Sequence, residues 1–149
     1  MIHGAFIIFD KKMRFTGYVL FLLIITNCNA QNSLGYKELT YEASTRGKKI
    51  KLKVTDSVLI YKENQEITKV LLTAKARKEI IVLLSKIDVL KVESFVPPSE
   101  ERFSDKALHA TLTILIDGIT YTSQSFDHGN PPIEFKALLE YLFNAVEKN

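Results

Sequence analysis

The stretch that decides the fold is ALHATLTILIDGITYTSQSF, residues 107–126. Two alternating runs, Ala107 to Ile116 and Ile119 to Phe126, flank Asp117-Gly118. An Asp-Gly pair between alternating strands signals a two-residue hairpin, because both turn positions need positive φ and glycine supplies it without a Cβ clash. That turn pairs Ile116 with Ile119 and sets the register behind them. One face then holds Leu108, Ala110, Leu112, Ile114 and Ile116 against Ile119, Tyr121 and Ser123. The other holds His109, Thr111 and Thr113 against Thr120, Thr122 and Gln124. The first face belongs to a core; the second is open and Thr-rich.

Upstream, Leu39 to Ala43 reads as a first strand, and Ser44 to Lys48 as a turn with Gly47 at its tip. Ile50, Leu52 and Val54 alternate with Lys49, Lys51 and Lys53, the period of a half-buried strand. Asp56-Ser57 turns the chain into Val58 to Lys62, and a polar turn leads to Ile67 to Leu72. Thr73 is placed to cap a helix over Ala74 to Lys86, with Ile80, Leu83, Leu84 and Ile87 on one stripe. Val89 to Phe95 reads as strand or loop, and Pro97-Pro98-Ser99 opens a loop reaching Asp105. Downstream, Asn130 is the expected cap and Pro131 the first residue of a helix burying Phe135, Leu138, Leu139, Leu142 and Val146. The expectation is an α+β fold. It has an antiparallel sheet of about five or six strands and two helices packed on one face, in the order ββββαββα.

The other end of the chain reads as an address. Lys11, Lys12 and Arg14 precede the uncharged run Gly17 to Thr26, and Cys28-Asn29-Ala30 follows with small residues before Gln31. A basic patch, an apolar run of about ten residues and a small-residue cut site form a signal peptide, too short to span a bilayer. Residues 1–30 are therefore expected to be removed, leaving 31–149 as one domain of ordinary size. Met13 opens a more compact signal and is the expected true start. Ile25-Thr26-Asn27-Cys28 loosely matches a lipobox, so the alternative to a periplasmic or secreted product is an outer-membrane lipoprotein acylated at Cys28. Only that lipid would bring the domain to a membrane.

Composition narrows the function classes. Hydrophobic residues make up 46% and charged residues 25%, which is globular rather than disordered. The whole chain carries +3 from 20 basic and 17 acidic residues. Setting aside Lys11, Lys12, Arg14 and Asp10 leaves 17 against 16, so nucleic acid is not an expected partner. The one cysteine lies in the segment to be removed, which excludes disulfides within the remainder and thiol chemistry there.

The strings Arg102-Phe103-Ser104-Asp105, His109-Ala110, Gly118 to Ser123 and Ser125 to Pro132 carry a resemblance. The chain resembles a family of small uncharacterised exported proteins of Gram-negative bacteria, over most of residues 31–149 and most densely from Pro97 to Pro132. The resemblance implies export and a single domain, and it implies no activity.

Three constellations compete for a function. The first is a binding surface for an envelope protein or ligand, formed by Thr111, Thr113 and Thr122 with the adjoining loop at Asp127 and His128. In the bland reading of that loop, Gly129, Asn130 and the prolines merely turn and cap the chain. The second is a metal site of Asp105, His109 and His128, since the hairpin register sets His128 diagonal to His109 on one face. Two imidazoles and a carboxylate could hold zinc with an open position. The third, a hydrolase built from Ser123 or Ser125 with Asp127 and His128, lacks a nucleophile elbow. Arg46, Lys48, Lys49, Lys51 and Lys53 form a basic strip that could meet anionic lipid head groups or an acidic partner; the favoured reading is a solvated face, or lysines guarding an edge strand. No cofactor is expected. The favoured expectation is an exported, non-enzymatic binding module; the alternative is a metal-dependent enzyme.

Overall fold

Alternating burial organises the chain around one long strand, β1 (Tyr36–Thr45), in which Leu39, Tyr41 and Ala43 are buried. The computed structural model describes residues 35–148. The chain divides into two units, residues 1–32 and 33–149; the segment expected to be a signal peptide, with Cys28, lies outside the described residues.

The fold is α+β with an antiparallel sheet. β1 pairs with β2 (Lys48–Val54) on one side and β5 (His109–Ile116) on the other. β3 (Val58–Glu63) and β4 (Glu66–Leu71) extend the sheet beyond β2, and β6 (Ile119–Thr122) closes the far edge. The strand order is β4-β3-β2-β1-β5-β6, with β7 (Phe126–Asp127) also pairing β5. Among the described residues, two α-helices, α1 (Ala74–Leu84) and α2 (Ile133–Glu147), accompany the sheet. Val89–Ser94 and Glu101–Ser104, read from sequence as strand or loop and as loop, are 3₁₀ helices.

The core is continuous. Leu39, Tyr41, Leu52, Leu59, Leu112 and Ile114 from the strands share it with Ile80 and Leu84 of α1 and Phe135, Leu138 and Leu142 of α2. Thr73 caps α1, its hydroxyl accepting the Ala76 N–H at 3.1 Å. Thr73→Ala is expected to cost about 1 kcal/mol, read as a lower urea midpoint at unchanged slope. Asn130 does not cap α2. A residue before a proline is pushed away from the helical region, which disfavours helix at Asn130 and Pro131; the helix begins at Ile133, with Pro132 as its N-cap at ψ 145. Asn130 instead donates its N–H to Asp127 O at 2.9 Å and its side-chain amide to Ser99 Oγ at 2.7 Å.

The hairpin holds its expected register from Ile116↔Ile119 to Thr113↔Thr122, around Asp117 and Gly118 at φ 49 and 81. Then it breaks. Residues 123–125 leave the ladder, and the Ser123 hydroxyl takes the Leu112 N–H at 3.0 Å. Pairing resumes with Ala110↔Phe126 and His109↔Asp127, one residue later than a continuous ladder would set it. One extra residue exchanges the two faces for everything that follows. Phe126 enters the core, Asp127 faces the side of His109, and His128 returns to the core side. The second arm is thereby two strands instead of one, giving seven strands where five or six were expected. Among the described residues, no helix is long and apolar enough to cross a membrane.

Candidate functional site

Tyr41 sits mid-strand in β1, where alternation turns its ring into the core; it is 1% exposed. Its hydroxyl lies 2.6 Å from Nδ1 of His128, a residue brought to the same side by the break after Thr122. Burial pushes the Tyr41 phenol well above its ordinary range, with Tyr61 adding to the effect. The phenol therefore keeps its proton, and a buried O–H needs an acceptor. Nδ1 of a neutral imidazole is that acceptor, which places the ring proton on Nε2. Burial and then the charge of Lys48 hold His128 below its usual range, opposed by Glu63. Among the described residues, Nε2 has no hydrogen-bond partner.

Aromatic rings surround the pair. Phe143 of α2 meets Tyr41 edge-on at 5.3 Å between centroids and His128 at 6.0 Å. Phe126 lies 6.1 Å from Tyr41. Behind them Tyr61 donates to Glu63 at 2.7 Å, and Glu63 pairs with Lys48 at 2.7 Å. Tyr41, Phe126, His128 and Phe143, without Tyr61, line a cavity of about 330 Å³. Leu139 and Phe143 continue its apolar lining along α2, while Lys136, Glu140, Asn144 and Glu147 form a polar rim from the same helix. The spacing of three to four residues between these positions keeps them along one side of α2. Its volume is at the low end of small-molecule sites.

No family model, no curated protein and no solved structure matches this chain.

The residues singled out from sequence fall into three environments. Thr111 and Thr113 are half-buried and Thr122 is exposed on the face opposite the core, with the Thr113 and Thr122 hydroxyls 3.2 Å apart. Asp127 is 1% exposed and fully engaged: Ser99, the backbone N–H groups of Glu101 and Arg102, and the Arg102 guanidinium all donate to it. It anchors the 97–105 loop and is not offered to a ligand. His128 alone of the five lines the cavity.

The metal constellation is not assembled. The register break sends His109 and His128 to opposite faces. His109 stacks edge-on with Phe103 at 5.9 Å, and His128 binds Tyr41. Asp105 ends a 3₁₀ helix in the left-handed region at φ 58. Among the described residues, no three His, Cys, Asp or Glu side chains are grouped to hold a metal. The basic strip does not guard an edge, because β2 lies inside the sheet. Three of its lysines are paired at 2.7 Å: Lys48 with Glu63, Lys51 with Glu42 and Lys53 with Glu38.

The lowered His128 pKa has a stability consequence. A histidine held neutral in the folded chain contributes stability that is complete above its unfolded pKa of about 6.5 and drains away as pH falls through that value toward the folded one. The groups facing it are Tyr41, Lys48 and Glu63. The wild-type chain should lose urea resistance between pH 7.5 and 5.5, and His128→Phe should lose less. Equal losses would remove His128 as the cause.

Proposed function

We propose that this chain is an exported, non-enzymatic binding module whose ligand site is the cavity bounded by Tyr41, Phe126, His128 and α2. The observation that carries the reading is the Tyr41–His128 pair. A buried phenol fixes the imidazole, leaving one oriented donor at the wall of an otherwise largely apolar cavity. A few placed polar groups in a mostly apolar, preformed concavity is the usual construction of a small-molecule site. In this reading both helices cover the core face of the sheet, so the Thr-rich face stays open toward solvent. The signal-like N-terminal segment and the resemblance to small exported proteins support a periplasmic or secreted domain, or an outer-membrane lipoprotein if Cys28 is acylated.

The test uses an envelope extract from the protein's own cells. The chain is incubated with it, repurified, and its bound small molecules are identified by native mass spectrometry. The wild type should retain a ligand that Asn144→Trp loses, because the indole lies across the cavity rim. Equal retention by both proteins would remove the cavity as the site.

A further inference from the structure

We infer that the cavity takes a neutral, flat, apolar molecule carrying one carbonyl-type oxygen, which accepts the Nε2–H of His128. The inference deepens the reading of the cavity as a ligand site and rests on it.

Three observations converge. The first is the donor. Tyr41 occupies Nδ1 at 2.6 Å, so the proton sits on Nε2, and that N–H has no protein acceptor among the described residues. A ligand that fills the cavity without offering an acceptor would strip this donor of water and leave it unpaired, which is costly. The second is shape. Beside His128 the partly exposed ring of Phe143 lines the cavity, with Tyr41 and Phe126 buried behind it, and that ring favours a flat partner in offset or edge contact. About 330 Å³ accommodates a two-ring body.

The third is charge. The imidazole is uncharged, and the ionic rim groups are Lys136 against Glu140 and Glu147. A carboxylate ligand would lose its hydration beside a neutral donor and a rim with an acidic excess. A buried charge without a paired countercharge is unfavourable, whereas a ketone or amide oxygen carries no such cost.

The test titrates the isotope-labelled 149-residue chain with three matched probes: 2-acetylnaphthalene, 2-ethylnaphthalene and 2-naphthoate. The acetyl compound should bind about tenfold more tightly than the ethyl compound, the worth of one neutral hydrogen bond. It alone should shift the His128 Nε2–H proton downfield. In His128→Phe the advantage should vanish while 2-ethylnaphthalene still binds. Equal affinity of the acetyl and ethyl probes for the wild type would overturn the acceptor requirement and leave the ligand site standing. Tightest binding by 2-naphthoate would overturn neutrality. Failure of all three probes to perturb Phe126 or Phe143 would overturn the inference and the cavity reading together. The wild-type series decides each of these, so the result does not hang on the folding of the variant.

Discussion

Asp127→Ala lowers the unfolding free energy by about 3–5 kcal/mol, the expected cost of removing one partner from a buried ion pair. The carboxylate accepts from Ser99 Oγ at 2.5 Å, Glu101 N at 2.8 Å, Arg102 N at 2.9 Å and the Arg102 guanidinium at 3.1 Å. Arg102 is itself only 5% exposed, so the substitution leaves its charge stranded. Urea unfolding at pH 7 measures the effect, and a shift worth less than about 1 kcal/mol would overturn the assignment. The pH dependence supplies a second check. Burial alone would push this carboxyl up, but the Ser99 hydroxyl, both donors of Arg102 and the Glu101 N–H outweigh it and hold it at about 2. An unfolded aspartate titrates near 3.9. The stabilisation is therefore complete above about pH 4 and is lost as pH falls through about 2, so the gap between wild type and variant narrows over that interval. Replacing Asp127 and Arg102 together by leucine and methionine should recover only part of the loss. The ion pair disappears, but the N–H groups at 101 and 102 remain without their acceptor.

Phe135→Ala should cost about 3–5 kcal/mol for a different reason. Its ring is fully buried and lies between Phe95 at 5.3 Å and Phe126 at 6.0 Å, so no single neighbour can fill the space. It also ties the first turn of α2 to the strand that carries Asp127. Denaturant unfolding should show the loss with little change in slope, and a loss under about 2 kcal/mol would mean that the site collapses freely.

Local patterns made most of the architecture readable. Alternation placed Ile50, Leu52, Leu112 and Ile114 in the core, Asp117-Gly118 set the hairpin, and Thr73 marked a helix start. Each of these signals acts within a few residues of itself. The failures share a cause in longer-range geometry. Nothing near Ser123 announces that the ladder will skip a residue, and that skip decided the orientation of Phe126, Asp127 and His128. The cavity was hidden for the same reason. Tyr41 and His128 are 87 positions apart, and a tyrosine in an alternating strand reads only as core. Asp127 was legible as part of a turn, but its partners Ser99 and Arg102 lie in a loop that sequence could describe only as polar.

The skip after Thr122 also sets what kinds of mutation the chain can absorb there. Ser123 bridges the break, its N–H donating to Leu112 O at 2.9 Å and its hydroxyl taking the Leu112 N–H at 3.0 Å, whereas Gln124 is exposed and open to substitution. A change of length acts by its sign. Deleting one of the codons 123–125 removes the spare residue: a continuous ladder then sets Phe126 opposite Ala110, and every face is kept. Inserting one codon, with the skip unchanged, sets Phe126 opposite His109, turning a phenyl ring out to water and driving the aspartate toward the hydrocarbon interior. The segment works as a phase marker with one residue of slack. In a library selected for folding, its in-frame single-codon deletions should survive while its single-codon insertions disappear.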